Sequence, residues 1–141
     1  MNVIEAKKLK KIYGNTQGIM KVTALEDVNL TVQAGEFIGV MGPSGSGKTT
    51  LMNLLSGIDT ATTGEILVEG NDITKMKKDE FALFRRRKIG YIFQDFNLLD
   101  SLTIKENVGL PLILDQVKPE TIEERVQKVM DYFNISSLAE K

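Results

Sequence analysis

The sequence contains no cysteine, which excludes disulfide bonds and thiolate metal sites and fits a reducing compartment. It also lacks any apolar run close to the roughly 20 residues that a membrane-spanning helix requires. The first residues show no basic stretch followed by an apolar core, so no signal peptide is predicted. Neither sign of charge is in excess, because 18 Lys and Arg face 19 Asp and Glu. Charge alone therefore gives no argument for nucleic-acid binding, and work at a membrane would require a partner protein.

The remaining composition, with 42% hydrophobic and 26% charged residues among 141, is that of one ordinary globular domain. Two continuous apolar runs, 37–41 and 89–93, have the length of strands and no polar alternation, which predicts strands buried on both faces of a parallel sheet. Other patterns predict strands over 3–13, 24–32 and 64–69, and helices over 48–56, 79–87 and 121–133.

The last of these predicted helices has a polar start and one apolar face. Thr121 and Glu124 match a capping box at its beginning. Its apolar positions recur at helical spacing and comprise Ile122, Val126, Val129, Met130 and Phe133. We expect this face to pack against another segment or, where none is present, against another copy of the chain.

The strongest signal is a glycine-rich loop between the predicted strand 37–41 and the predicted helix 48–56. It reads Gly42-Pro43-Ser44-Gly45-Ser46-Gly47-Lys48-Thr49, which fits the pattern G-x-x-x-x-G-K-[ST] of phosphate-binding P-loops. Glycines let the backbone N–H groups turn toward phosphate oxygens, and the positive end of the following helix reinforces that anion nest. Lys48 can reach between the β- and γ-phosphates, and the Thr49 hydroxyl can bind Mg²⁺. The alternative, a glycine-rich turn without a ligand, is disfavoured because strand, loop and helix follow in the required order.

A P-loop does not choose between kinases, GTPases, recombinases and transport motors, because a fold does not fix function. The wider sequence resembles the ATP-binding subunits of ABC transporters over essentially the whole chain. Besides the P-loop with Thr50, the matching stretches are Leu25-Glu26-Asp27-Val28-Asn29-Leu30, Gly35-Glu36-Phe37, Ile89-Gly90-Tyr91-Ile92-Phe93-Gln94 and Leu102-Thr103-Ile104-Lys105-Glu106-Asn107-Val108.

The resemblance implies an α/β fold, a P-loop NTPase of the ABC ATPase type. It would have an incomplete parallel sheet, an antiparallel β subdomain and the start of a helical subdomain. Residues 1–94 would form the ATP-binding core with the P-loop and the antiparallel β subdomain. Residues 95–141 would hold the Q-loop region and the beginning of the helical subdomain.

The resemblance also implies roles for two residues outside the P-loop. Tyr13 stands where the family places an aromatic side chain that stacks on adenine, although an ordinary strand aromatic in a core is an alternative. Gln94 matches the glutamine of the family's Q-loop, which approaches Mg²⁺ and the attacking water, although an exposed loop residue is an alternative. Gln94 and Lys48 are therefore the catalytic candidates, and Thr49 and Gln94 are the metal candidates. Tyr13 and residues 42–50 are the expected binding residues for ATP.

Partners follow from the same resemblance. Residues 95–99 would face a membrane-spanning permease, with Phe96, Leu98 and Leu99 exposed as its contact surface, although core packing of the leucines is an alternative. A second ATP-binding subunit would complete a head-to-tail dimer that sandwiches the nucleotides. The implied location is cytoplasmic, on the inner face of the cell membrane.

A basic cluster, Arg85-Arg86-Arg87-Lys88, follows Lys75, Lys77 and Lys78 and suggests binding to nucleic acid or lipid headgroups. Asp79 and Glu80 dilute this charge, and no aromatic residues alternate with it. We therefore predict a solvated helix and no nucleic-acid partner.

Three features that ABC motors need are absent from the sequence. It has no Leu-Ser-Gly-Gly-Gln signature, no apolar strand ending in Asp-Glu, and no histidine to act as the family's switch. The nearest signature-like string, Leu55-Ser56-Gly57-Ile58-Asp59, lacks the second glycine and follows the P-loop helix. We expect the chain to be the N-terminal portion of a larger subunit that ends before the signature. Such a portion should bind Mg-ATP weakly and should not hydrolyse it.

The resemblance also gives an expectation for the cargo. Residues 94–99 together with 106–112 resemble the group that includes macrolide-export, lipoprotein-release and bacitracin-resistance ATPases. Residues 53–59 and 98–100 look closest to the antimicrobial-peptide branch, so export or removal of an antimicrobial peptide or another amphiphile is expected. An ABC-type ATPase of a non-transport complex would share the core without needing an apolar surface at 95–99. A P-loop kinase would need an acceptor site and a lid, for which no sequence feature argues.

Overall fold

The computed structural model describes residues 1–14 and 20–141, and the chain separates into two compact units. The first unit is Met1–Tyr91 and the second is Ile92–Lys141. The functional division that we expect after residue 94 stays a prediction. No helix in the described part of the chain is long and apolar enough to cross a membrane.

The first unit is built on a four-stranded antiparallel sheet in the order β2-β1-β3-β4. Strand β1 is Asn2–Tyr13, β2 is Val22–Gln33, β3 is Thr63–Val68 and β4 is Asn71–Asp72. The predicted strands 3–13, 24–32 and 64–69 are therefore confirmed to within two residues. The central strand β1 pairs with both neighbours.

Two helices complete the first unit. Helix α1 is Lys48–Leu55 and helix α2 is Lys78–Lys88, which confirms the predicted helices 48–56 and 79–87. The core contains apolar side chains from the sheet, from α1 and from the segment that follows β4: Ala6, Leu9, Leu25, Leu54, Leu55, Ile66, Val68 and Ile73. Helix α1 is thereby fixed against the sheet, which places the P-loop that precedes it.

The predicted buried strands 37–41 and 89–93 are wrong for this chain, because neither segment forms a strand. Phe37 is 100% exposed and Ile92 is 97% exposed, so neither run is buried along its whole length, although Ile89 packs against the core. Every strand pairing among the described residues is antiparallel, and the expected parallel sheet is not formed. A strand needs a hydrogen-bonded neighbour, and an apolar run alone does not supply one.

The second unit is a pair of helices followed by one short turn of 3₁₀-helix. Helix α3 is Ile104–Leu114, helix α4 is Pro119–Tyr132, and the 3₁₀ turn is Ser136–Leu138. Val126 and Met130 of α4 are buried, and Gly109 of α3 lies where a Cβ would be 3.4 Å from Val126 Cγ2. A Cβ at this distance would make an ordinary van der Waals contact, so α3 and α4 pack side by side at Gly109.

The helix predicted over 121–133 is confirmed, but its predicted start is wrong. Helix α4 begins at Pro119 after Lys118, and no side chain caps it. Proline suits the first helical position because its ring sets the helical φ and its missing N–H is not needed there. The capping box lies instead at the start of α3, between Thr103 and Glu106. Of the predicted apolar face of α4, Val126 and Met130 are buried, whereas Val129 is 42% and Phe133 64% exposed.

Candidate nucleotide site

The P-loop meets the N-terminus of α1 in a geometry that exposes helical N–H groups. Gly47 is the N-cap of α1 and has a φ of 90°, a left-handed conformation that glycine adopts without steric cost. No side chain caps the helix, and its first turn contains no acidic residue. The first-turn N–H groups of a helix have no intrahelical partner, and the helix dipole adds positive potential there. This end of α1 is therefore suited to an anion such as a phosphate.

Gly47 is also required by the packing of the loop against β2. A Cβ at this position would lie 2.6 Å from the Ala24 carbonyl oxygen and 2.9 Å from Leu25 Cδ2. The Ala24 oxygen belongs to the backbone and cannot rotate away. The close approach of two main chains thus holds the phosphate loop beside the first residues of β2.

Lys48 directs its ammonium group back over the loop. Its Nζ donates hydrogen bonds to the Gly42 carbonyl at 2.8 Å and to the Pro43 carbonyl at 2.7 Å. The Ser46 hydroxyl accepts a longer bond from the same nitrogen at 3.4 Å. In the described residues no carboxylate forms an ion pair with Lys48. Its charge is therefore available to an anion at the loop.

The loop lines one side of a cleft of about 290 Å³, and β2 lines the other. Residues from the loop and α1 are Ser44, Gly45, Ser46, Gly47, Lys48, Thr49 and Thr50. Residues from β2 are Val22, Thr23 and Ala24, for which the sequence carries no signal. Only the packing of Gly47 on β2 reveals them, because they are far from the P-loop in sequence.

Tyr13 lies at the end of β1, next to this cleft. It pairs with Val22, which lines the cleft, and residues directly opposite each other on antiparallel strands point to the same face. The Tyr13 side chain is 40% exposed, so it does not occupy a core position. Its hydroxyl donates a 2.8 Å hydrogen bond to Asp59 Oδ2, and the Lys11 ammonium lies 4.8 Å from its ring centroid. The stacking role of Tyr13 stays a prediction.

Asp59 and Lys11 form a polar cluster that the sequence did not reveal. Lys11 is buried and donates 2.7 Å hydrogen bonds to Asp59 Oδ1 and to the Thr60 carbonyl. Burial by itself would raise the pKa of Asp59. Hydrogen bonds from Lys11, Tyr13 and the Thr60 N–H outweigh that effect and lower the pKa below its ordinary value. Asp59 is therefore a carboxylate at neutral pH.

A magnesium site can be assessed from the oxygen ligands that the chain offers. Thr49 lies in the first turn of α1 with its side chain exposed beside the cleft. The described residues contain no cluster of three acidic or histidine side chains that could hold a metal without help. Mg²⁺ keeps several waters and commonly binds through substrate phosphates, so one hydroxyl beside a phosphate loop fits this ion. Gln94 belongs to the second unit and is exposed, and its contact with Mg²⁺ stays a prediction.

The segment 95–99 presents apolar side chains to solvent. Phe96 is 91% exposed, Leu98 57% and Leu99 48%, so the leucines do not pack in a core. Asn107 of α3 fixes the end of this segment: its Oδ1 accepts from the Leu99 N–H at 2.9 Å, and its Nδ2 donates to the Leu99 carbonyl at 3.1 Å. The second unit therefore holds a short apolar surface on a defined support.

The basic cluster lies in the last turn of α2, where positive charge is favoured by the helix dipole. Lys88 forms a 2.6 Å ion pair with Glu69, and Lys75 pairs with Glu65 at 3.0 Å. Arg85 donates a weak 3.4 Å hydrogen bond to the Gly57 carbonyl. These contacts give part of the positive charge a partner within the chain. The basic cluster can therefore be explained as the surface of a solvated helix.

A glycine-rich loop of the P-loop pattern that leads into a helix with no side-chain cap is the local arrangement expected of P-loop nucleotide-binding proteins. The family model described as ABC transporter matches residues 25–141. The chain belongs to the ABC transporter family.

Relatives and solved structures agree with this assignment. The chain is 49% identical over 138 residues to the uncharacterized ABC transporter ATP-binding protein YvcR of Bacillus subtilis, covering 98% of this chain and 53% of that protein. It is 40% identical over 141 residues to the bacitracin export ATP-binding protein BceA of Halalkalibacterium halodurans, covering 100% and 55%. The chain thus spans about half the length of these curated relatives.

A solved structure of the ATP-binding cassette MJ0796, described as a dimeric post-hydrolysis state bound to ADP and Pi, is similar to this fold. The TM-score is 0.87 at 35% identity, and the match covers 97% of this chain and 60% of that chain. The expected ABC ATPase fold class is therefore confirmed, although residues 1–14 and 20–141 form no parallel sheet.

Proposed function

We propose that the chain forms the phosphate- and base-binding portion of the ATP-binding subunit of an ABC transporter. The observation that carries this proposal is the uncapped N-terminus of α1, which begins at Gly47 with the Lys48 ammonium folded over the loop. In this arrangement N–H donors and a cation converge on one cleft. Charge-assisted hydrogen bonds of this kind bind phosphate strongly.

ATP binding would replace hydrogen bonds within the loop by hydrogen bonds to phosphate. Lys48 would leave the carbonyl groups of Gly42 and Pro43 and bind the β- and γ-phosphates, while the loop N–H groups bind their oxygens. The Thr49 hydroxyl would hold Mg²⁺. When bound, this ion would neutralise part of the negative charge of the phosphates. Tyr13 would stack on the adenine at the end of β1.

Hydrolysis requires more than this cleft. Gln94 can orient a water or a metal ion, but the amide side chain is not a base that accepts a proton from water. The sequence has no apolar strand that ends in a carboxylate pair. We therefore propose that residues 1–141 bind Mg-ATP and do not turn it over, whereas the whole subunit couples ATP binding and hydrolysis to transport.

Partner and cargo are proposed from the exposed apolar segment and the names of relatives. Phe96, Leu98 and Leu99 form the proposed contact with a membrane permease, which would hold the subunit at the cytoplasmic face of the membrane. An ATPase of a non-transport complex would not need this surface. The relative named for bacitracin export supports an antimicrobial peptide or a similar amphiphile as cargo. The dimeric cassette supports a second ATP-binding subunit as partner.

Isothermal titration of the 141-residue chain with Mg-ATP tests the binding proposal. We expect weak binding that falls at least about tenfold in Lys48→Ala, since a charge-assisted contact to phosphate is lost. Lys128→Ala, an exposed lysine on α4, is the matched control and should change little. Equal binding in Lys48→Ala and the unchanged chain would overturn the proposal. Phosphate release above the Lys48→Ala background would overturn the statement that these residues do not hydrolyse ATP.

A further inference from the structure

We infer that Asp59 is a positioning residue that fixes the Tyr13 ring for stacking on the nucleotide base. The inference deepens the proposed function, because it takes Tyr13 as the surface on which the base stacks. Asp59 follows α1 in sequence, and Tyr13 ends β1, 46 residues away. The contact between them joins the proposed base site to the turn after the phosphate-binding helix.

Both carboxylate oxygens of Asp59 accept hydrogen bonds. Oδ2 accepts the Tyr13 hydroxyl at 2.8 Å, while Oδ1 accepts the Lys11 ammonium and the Thr60 N–H, each at 2.7 Å. Lys11 in turn donates to the Thr60 carbonyl at 2.7 Å. Asp59 cannot turn away from Tyr13 without breaking bonds to a buried cation and to the Thr60 N–H. The acceptor for the Tyr13 hydroxyl therefore has a fixed position.

The backbone of Asp59 is held by α1 itself. The N–H groups of Ile58 and Asp59 both donate to the Asn53 carbonyl, at 2.8 and 3.1 Å. Asn53 lies in the helix whose N-terminus carries Lys48 and Thr49. The phosphate loop and the acceptor of the Tyr13 hydroxyl are thus attached to the two ends of one rigid helix. A base on Tyr13 and phosphates at the loop would be kept at a constant separation.

The cluster also determines which face of Tyr13 is available. The Lys11 ammonium lies over one face of the ring, 4.8 Å from its centroid. A base would stack on the opposite face, and the hydroxyl bond to Asp59 would prevent the ring from rotating about its Cα–Cβ bond. Fixing an aromatic side chain before binding lowers the entropy that is lost when the base stacks. Asp59 would therefore increase affinity for the base without touching it.

The test compares two probes that share the phosphates but not the base: Mg-ATP and inorganic Mg-tripolyphosphate. Titrations use the whole 141-residue chain, with circular dichroism and thermal unfolding to verify that each variant is folded. We expect Tyr13→Phe and Asp59→Asn to weaken Mg-ATP binding by about fivefold, the scale of one typical intramolecular hydrogen bond. Tripolyphosphate binding should change less than twofold. The double variant should lose no more than Tyr13→Phe, because without the Tyr13 hydroxyl the side chain at position 59 has no hydrogen bond to the ring.

Two matched controls remove similar bonds elsewhere in the same unit. Asp72→Asn alters a carboxylate that binds Lys75 and the Thr74 N–H. Tyr91→Phe removes a hydroxyl that donates to Asn53 Oδ1 at 2.9 Å. Both should leave Mg-ATP binding within twofold. An ATP-specific loss in these controls as large as in Asp59→Asn would overturn the inference.

Failure of the inference differs from failure of the proposed function. If Tyr13→Ala weakens Mg-ATP binding while Tyr13→Phe and Asp59→Asn do not, Tyr13 binds the base but Asp59 does not position it. If Tyr13→Ala has no effect on Mg-ATP binding, the proposed base site itself is wrong. If Asp59→Asn weakens tripolyphosphate as much as ATP, Asp59 supports the loop as a whole and the inference is overturned. Tyr13→Phe leaves the Asp59 pair with Lys11 intact, so it decides the matter even if Asp59→Asn unfolds.

Discussion

Gly47 combines a left-handed backbone conformation with a close contact to β2, and few side chains tolerate this combination. Gly47→Ala adds a Cβ 2.6 Å from the Ala24 carbonyl oxygen and forces a non-glycine residue to hold a φ of 90°. We expect the free energy of unfolding to fall by about 2–4 kcal/mol, from left-handed strain together with displacement of the backbone. Urea unfolding monitored by circular dichroism measures this change.

Gly45→Ala is the matched control for that experiment. Gly45 also has a left-handed φ, 77°, but a Cβ there would meet nothing within 4 Å. It should cost only the strain of about 1–2 kcal/mol. Equal losses in the two alanine variants would show that the contact with β2 contributes nothing to stability.

The lowered pKa of Asp59 predicts a pH dependence of stability. A carboxyl group with a folded pKa below its ordinary 3.8 stabilises the fold above that value, and this contribution disappears as the pH falls through the folded pKa. Asp59→Asn should therefore lower the free energy of unfolding at pH 7 by about 1–3 kcal/mol, and the difference should shrink below about pH 4. Urea unfolding at several pH values measures both quantities.

Asp72→Asn serves as the control for the pH series. The Asp72 pKa is also lowered: burial would raise it, and hydrogen bonds from Lys75 and Thr74 outweigh that effect. Its ion-pair partner is 70% exposed, whereas the Lys11 side chain is 11% exposed. Exposed ion pairs contribute about 0–1 kcal/mol, so the effect at pH 7 should be smaller than for Asp59→Asn. A difference for Asp59→Asn that persists unchanged to pH 3 would contradict the assigned cause.

At the level of elements, Asn107 connects α3 to the segment before it. Its Nδ2 donates to the carbonyls of Leu99, Leu102 and Thr103, and its Oδ1 accepts from the Leu99 N–H. Asn107→Ala removes these bonds and should lower the free energy of unfolding by about 1–3 kcal/mol. Hydrogen exchange of the Leu99 and Leu102 amides should become faster.

Lys128→Ala on the neighbouring helix is the control for this element and should stay within about 0.5 kcal/mol, as surface substitutions do. Asn107→Asp refines the test, because it keeps the acceptor and places a negative charge against three carbonyl oxygens. It should destabilise the protein at least as much as the alanine variant. Unchanged exchange at Leu99 in both variants would show that Asn107 does not hold this segment.

Local patterns predict most elements, and the failures have a common cause. The alternating strands, the P-loop helix and the amphipathic helix α4 are encoded by short-range periodicity, so their positions follow from sequence. The runs 37–41 and 89–93 have the same local preference, but pairing is a long-range property that no local pattern contains. Helix α3 escapes prediction, because Pro111 lies inside it and interrupts the helical pattern.

The residues of the candidate site also fall into a part that local sequence predicts and a part that it does not. The P-loop is one continuous motif, and the structure places its residues together at the start of α1. The cluster of Lys11, Tyr13 and Asp59 joins residues 46 and 48 positions apart through β1 and the turn after α1. Neither an aspartate in a turn nor a lysine in a strand is a signal by itself. Only the fold shows that they meet.

For the whole molecule, the exposed apolar run 37–41 should differ in protection from the sheet. No strand among the described residues pairs with it, whereas β1 is paired on both sides. At dilutions where the chain is monomeric, amide hydrogen exchange should be fast throughout 37–41 and slow at central positions of β1 such as Ala6 and Leu9. Mass spectrometry of peptides from both regions measures the difference. Protection of 37–41 equal to that of β1 would indicate that this run is paired in solution.

The same run determines where two copies of the chain should meet. The α4 face expected to associate already buries Val126 and Met130 within its own unit. By contrast, Phe37 is 100% and Met41 93% exposed, and their backbone lies outside the sheet. An exposed apolar segment whose backbone has no strand partner can pair with another chain. Association should therefore depend more on 37–41 than on α4.

Sedimentation velocity over a range of concentrations tests this ranking with two double variants. Phe37→Ser with Met41→Ser removes apolar surface from the run, and Val129→Ser with Phe133→Ser removes exposed apolar surface from α4. All four side chains are exposed, so each double variant should keep the free energy of unfolding within about 1 kcal/mol. We expect the first pair to weaken self-association at least about tenfold and the second to change it little, because only the first disrupts pairing between backbones. If instead the α4 variant weakens self-association more, α4 is the contact between copies. If the chain without substitutions is monomeric at high concentration, neither 37–41 nor α4 is such a contact.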